Sequence, residues 1–128
     1  MQTCGTSLPT ILVADDDPNC LSMLSSALQE SGHQVATATD GIEALEQLQI
    51  NPSIALVITD IIMPAKEGIG LIRSIRRLYG TIKIIAMTGS VNWATVLFTA
   101  AEFGVEVTLR KPFKINRLLE LIELELGK

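Results

Sequence analysis

The sequence predicts an α/β domain, a five-stranded parallel sheet with helices on both faces. Two observations predict it. Within 128 residues, short apolar runs alternate with longer segments of helical periodicity five times over. Four of the five runs are β-branched and almost uniformly apolar, which is how strands covered on both faces read. Strand–helix alternation with short connections then gives right-handed crossovers and helices on both sides of the sheet.

The elements follow in order. The first strand is expected over 10–14, Thr-Ile-Leu-Val-Ala. A helix follows over 18–29, with Pro18 in its first turn, Leu21, Leu24 and Leu28 at i, i+3 and i+7, and Gly32 at its stop. The second run, Gln-Val-Ala-Thr-Ala over 34–38, is less apolar and reads as an edge strand. Asp40 and Gly41 read as cap and turn before a short helix over 42–48 that repeats the apolar pattern with Leu45. The third strand covers 54–59, and the next helix covers 68–79 with Leu71, Ile72, Ile75 and Leu78, ending at Gly80. The fourth strand is 83–88, followed by a helix over 92–103 that Gly104 stops. A fifth strand over 105–109 and a helix over 115–126, with Leu118, Leu121 and Ile122, close the chain. Residues 1–128 are expected to form one domain with an ordered core over about 9–127.

Composition narrows the class. Hydrophobic residues are 48% and charged residues 19%, which excludes intrinsic disorder, and with 4% aromatics the core is aliphatic. Ten Lys and Arg against fourteen Asp and Glu leave a net charge of −4, which disfavours direct binding to a nucleic-acid backbone. Cys4 and Cys20 make neither a disulfide framework nor a four-ligand zinc site, and read as two reduced thiols. Residues 1–17 hold no basic segment before their apolar run, and no run approaches the length of a membrane span. A cytoplasmic protein is expected.

In parallel sheets chemistry sits outside the carboxyl ends of the strands, at the switch point of strand order. Here those ends carry Asp15, Asp16 and Asp17 after the first strand, Asp60 after the third, Thr88, Gly89 and Ser90 at the fourth, and Arg110, Lys111 and Pro112 after the fifth. Carboxylates converging from adjacent strands repel by about 4 kcal/mol per pair at ~4 Å and an effective dielectric near 20. A hard divalent cation relieves this, and Mg²⁺ suits two Asp plus a backbone carbonyl. With the Lys111 ammonium and the Thr88 hydroxyl, the group makes a receptor for a phosphoryl group, and Asp60 is the nucleophile. Asp17 reads as a helix cap and His33 as an exposed loop residue.

Five segments together resemble the receiver domain of two-component response regulators (CheY-like): Ile-Leu-Val-Ala-Asp-Asp-Asp-Pro at 11–18, Asp-Gly-Ile-Glu-Ala-Leu at 40–45, Ile-Thr-Asp-Ile-Ile-Met-Pro-Ala-Lys-Glu-Gly at 58–68, Met-Thr-Gly at 87–89 and Lys-Pro-Phe at 111–113. The resemblance spans essentially the whole chain. It implies a flavodoxin-like sheet of order 2-1-3-4-5 with five helices. It implies phosphorylation of Asp60 by a histidine kinase or phosphotransfer protein. It assigns Asp15, Asp16, Asp60 and the Ile62 carbonyl to Mg²⁺, Thr88 to the switch, and Lys111, before a cis Pro112, to the phosphoryl group.

Three positions depart from the family pattern. Thr108 stands three residues before Lys111, where Phe or Tyr is usual, so transmission by a rotating ring is not expected. Ile62 stands two residues after Asp60 and has no polar side chain to hold water; the resemblance implies that this position and Ser90 flank the phosphoryl oxygens and tune hydrolysis. Lys66-Glu67 precedes Gly68 in place of the usual acidic residue, with a local effect only.

The expected output route is therefore the loop after Thr88 and the helix that follows it. That helix carries more apolar residues than one buried face needs, among them Trp93, Val96 and Phe98, which points to a partner or dimer contact. No DNA-binding or catalytic segment follows Lys128 in the sequence as written; if this is the whole protein, output by protein–protein contact is expected. The chain reads as a signalling phosphoacceptor with self-phosphorylation and self-dephosphorylation chemistry, not as a metabolic enzyme. Two other readings are a pseudo-receiver that only binds proteins and a Mg²⁺-dependent Asp-nucleophile phosphatase. Asp60, Thr88 and Lys111 count against the first. Ile62, standing where such phosphatases carry a second Asp, counts against the second.

Overall fold

The computed structural model describes residues 9–61, 68–89, 94, 98, 101–102, 104–105 and 107–127. The strands are β1 (Thr10–Ala14), β2 (Gln34–Ala38), β3 (Ile54–Asp60), β4 (Lys83–Thr88) and β5 (Val107–Arg110). They form one parallel sheet in the order β2-β1-β3-β4-β5. Four helices have full bounds among the described residues: α1 (Pro18–Glu30), α2 (Gly41–Ile50), α3 (Gly68–Leu78) and α4 (Ile115–Glu125). The further helix expected over 92–103 falls largely outside the described residues, with 94, 98, 101 and 102 helical.

Alternation along the strands builds two cores. Leu12 and Ala14 of β1, Val57 of β3, and Ile84 and Ala86 of β4 face α2 and α3, where Ala44, Leu48, Leu71, Ile72 and Ile75 meet them. Ile11, Val13, Leu56, Ile58, Ile85 and Met87 face the other way, onto Leu21, Leu24 and Leu28 of α1 and Leu118, Leu121 and Ile122 of α4. The period of two in the strands and the i, i+3, i+7 spacing in the helices are the two patterns that place side chains on one face. None of the described helices is long and apolar enough to cross a membrane.

Several expectations are corrected. The buried residues of α2 are Gly41, Ala44 and Leu48, with Leu45 partly buried against the same core as expected, while Ile42 is 54% exposed. The helix starts one residue early because the Asp40 carboxylate accepts from the Glu43 N–H at 2.8 Å, while Glu43 accepts from the Thr39 N–H at 2.7 Å. Leu78, expected on the core stripe of α3, is 58% exposed in its last turn. Strand β5 begins at Val107, two residues late, and is the second edge of the sheet, with Leu109 its buried side chain. His33 is not an exposed loop residue: it packs with Nε2 3.7 Å from the Glu123 carboxylate of α4. Gly32 and Gly104 adopt positive φ, +93° and +77°, as helix-stop glycines do.

Candidate functional site

Strand order reverses between β1 and β3, since the chain first goes from β1 to β2 on one side and then crosses back to β3 on the other. Ala14 pairs with Thr59, so the next residues along each strand, Asp15 and Asp60, come out side by side. Asp60 is the last residue of β3 and pairs with Met87 of β4. Thr88 ends β4, fully buried, and pairs with Arg110. Its carbonyl accepts from the Lys111 N–H at 2.7 Å, which fixes where the lysine leaves the sheet. The Lys111–Pro112 peptide is cis, as the resemblance implied.

The lysine turns inward. Its Nζ donates to Asp15 Oδ2 at 2.9 Å and to Asp60 Oδ2 at 3.0 Å. The Asp15 side chain is fully buried, and that of Asp60 is 13% exposed. Asp15 Oδ1 accepts from the Asp17 N–H at 2.9 Å. Burial pushes the Asp15 carboxyl up, but the Asp17 N–H, the Lys111 ammonium and the Cys20 thiol together hold it below its ordinary value. Burial favours the neutral form of Lys111, yet its bonds to Asp15 and Asp60 raise it above the usual lysine value. Cys20, a free thiol at the start of α1, is pushed up to about 11, first by burial and then by the Asp15 carboxylate.

Carboxylate oxygens of Asp15, Asp16 and Asp60 lie within 4.8 Å of one another. Among the described residues, three acids and the Lys111 ammonium meet there, a set of carboxylate oxygens with excess negative charge. That set fits a hard divalent cation. Beside Lys111 opens a largely apolar cleft of about 450 Å³, lined by Cys20, Met23, Gly89, Lys111, Pro112 and Phe113.

Asp15, Asp16, Asp60, Thr88 and Lys111 thus lie together at the strand ends. Ile62, Ser90, Trp93 and Val96 lie outside the described residues, as do Cys4 and the segment from Met63 to Glu67. Phe98 is 68% exposed. Asp17 is the cap of α1, accepting from the Asn19 N–H at 3.0 Å. Its own N–H on Asp15 was not anticipated, although the Asp-x-Asp spacing is the signature of such a turn. Thr59, whose hydroxyl donates to the Asp60 carbonyl at 2.9 Å, also escaped the sequence reading.

A doubly wound parallel sheet with clustered aspartates and an inward lysine at its switch point defines a flavodoxin-like domain carrying an acidic strand-end site. The sequence profile of the response regulator receiver domain matches residues 11–123, and the chain belongs to that family, the receiver domains of two-component systems. It is similar, at 36% identity over 117 residues, to the DNA-binding transcriptional regulator NtrC of Azospirillum brasilense, covering 91% of this chain and 24% of that protein. It is 35% identical over 113 residues to the response regulator receiver protein CpdR of Brucella abortus, covering 88% of this chain and 92% of CpdR. A CheY-like receiver domain protein from Methanospirillum hungatei superposes with a TM-score of 0.87 at 29% identity, over 94% of each chain. The chain spans between 24% and 50% of the length of the first curated relatives it matches.

Proposed function

We propose that this domain accepts a phosphoryl group on Asp60 from a histidine kinase or phosphotransfer protein, with Mg²⁺, and thereby switches its binding to an output partner. The observation that carries the reading is the bridge of Lys111 Nζ to both Asp15 and Asp60. It puts one ammonium where a phosphoryl group on Asp60 would need charge neutralised.

An Asp60 carboxylate oxygen forms the O–P bond as the donor's N–P bond breaks, and the electron pair of that bond stays on the donor imidazole. Lys111 neutralises charge on the phosphoryl oxygens, and the Thr88 hydroxyl offers them a donor. Asp15, Asp16, Asp60 and the Ile62 carbonyl would hold Mg²⁺, which when bound offsets the negative charge of the incoming phosphoryl group. On this reading the domain has self-phosphorylation and self-dephosphorylation chemistry and is otherwise a switch, not a metabolic enzyme. Output runs through the segment after Gly89, where Phe98 is exposed and Trp93 and Val96 stand nearby in sequence.

Labelled acetyl phosphate with Mg²⁺ tests the proposal. Wild type should form a base-labile acyl phosphate, and Asp60→Asn should incorporate only background label. Label on Asp60→Asn at the wild-type rate would remove Asp60 from the site. Multiple turnover of a free phosphoester would favour a phosphatase instead.

A further inference from the structure

We propose that Arg76 of α3 is a positioning residue that sets the register of β5 against β4, and through it the reach of Lys111; this rests on the reading of Lys111 as the phosphoryl contact. Arg76 donates from one guanidinium nitrogen to the Ile82 carbonyl at 2.6 Å and from the other to the Gly104 carbonyl at 2.6 Å. Ile82 immediately precedes β4, and Gly104 stands shortly before β5. One planar fork thus ties together the entrances of the two strands whose far ends carry Thr88 and Lys111.

The need for such a tie comes from β5 itself. It is an edge strand of four residues, joined to the sheet through four pairs, Ile85–Val107 to Thr88–Arg110. Register is firmly specified where one face of a strand is buried and weakly where it is not. Along Val-Thr-Leu-Arg, Val107 and Leu109 share the core face, but only Leu109 is buried there; Val107 and Thr108 are half-buried and Arg110 is exposed, so one buried side chain is all that holds the register from this strand. A slip of one residue would turn each side chain to the opposite face and aim the position of Lys111 away from Asp15 and Asp60. Two charge-assisted bonds at the strand's entrance oppose that slip.

Gly104 fits the same account. Its φ of +77° suits glycine, and a Cβ there would come 3.3 Å from Arg76 Nε. Lysine cannot replace the fork, because an ammonium lacks the guanidinium's spread of donors in one plane.

The test is amide hydrogen exchange on the full chain, read by NMR, together with label uptake from acetyl phosphate. In Arg76→Gln and Arg76→Lys the Leu109 and Lys111 amides should exchange at least about tenfold faster, the loss of roughly one hydrogen bond to a charged donor. Amides of β1 and β3 should keep their protection, and uptake should fall along with the β5 protection. Unchanged β5 exchange, an equal rise across all strands, or full rescue by Arg76→Lys would overturn the proposal. If Arg76→Gln does not fold, Arg76→Lys carries the comparison. A wild type that takes up no label would overturn the phosphoacceptor reading, while the exchange data still decide the register of β5.

Discussion

Lys111 Nζ lies 2.9 Å from Asp15 Oδ2, although 96 positions separate the two residues in the chain. The bond joins the turn after β5 to the turn after β1, across the intervening ends of β3 and β4. Asp15 is fully buried and holds its charge because that ammonium and the Asp17 N–H face it.

Removing the ammonium should therefore cost stability until another cation replaces it. Lys111→Met keeps the apolar stem and deletes the charge. In EDTA it should lower unfolding stability by about 1–3 kcal/mol, the range for leaving buried acceptors without their donor. Excess Mg²⁺ should stabilise the variant more than the wild type, since the ammonium no longer competes for the carboxylates. For either protein the linkage gain is about 2.7 kcal/mol at a hundredfold excess over Kd. Urea titrations with and without Mg²⁺ check both effects, and a wild type indifferent to Mg²⁺ would count against the cation site.

The two members of the pair respond to pH in opposite senses. The folded Asp15 carboxyl sits below its unfolded value, so its contribution is present above the ordinary carboxylate range and is lost as pH falls through the lowered value. Lys111 is raised in the folded chain, so its contribution is complete below its ordinary 10.5 and is lost as pH rises through the raised value. In metal-free buffer, wild type should lose its advantage over Asp15→Asn as pH falls below about 4. Denaturation midpoints of the two proteins between neutral and acid pH give the comparison; parallel curves would contradict the charge assignment at Asp15.

Cys20 should be a slow thiol. Its thiol is pushed up to about 11 from an ordinary 9.0, so at neutral pH it holds roughly a hundredfold less thiolate than an unperturbed cysteine. In a Cys4→Ser background, alkylation of Cys20 by iodoacetamide should be slower by about that factor than in the urea-unfolded chain. Equal rates would mean that Asp15 and burial do not govern the thiol.

The output route is open to a fluorescence test. Beryllofluoride with Mg²⁺ mimics the phosphorylated aspartate, and Trp93 is the sole tryptophan. Its emission should change on adding the mimic. Thr88→Ala should abolish the change while Mg²⁺ still binds, because Thr88 ends β4 ahead of the segment that carries Trp93. A silent Trp93 alongside a partner that still distinguishes the two states would move the output to the faces of α1 or α4.

Much of this arrangement is legible in the sequence because it is periodic or local. Leu21, Leu24 and Leu28 specify the buried face of α1 by spacing alone, and Asp17 and Asp40 cap their helices through bonds to residues two and three positions away. The acids, the threonine and the lysine mark the carboxyl ends of their strands for the same reason, since a buried parallel strand ends where polar residues begin. Strand order was legible only through the family resemblance: the spacing of apolar runs does not say which strands are neighbours. The bond from the Asp17 N–H to Asp15 is local too. The inward turn of Lys111 and the reach of Arg76 to Gly104 come from tertiary structure. So do the half-burial of β5 and the packing of His33 against Glu123. Each depends on which elements lie side by side although distant in the chain, by 28 positions for Arg76 and Gly104 and by 96 for Lys111 and Asp15. Burial and charge then act on whatever that juxtaposition brings within about 3 Å, the range of a hydrogen bond.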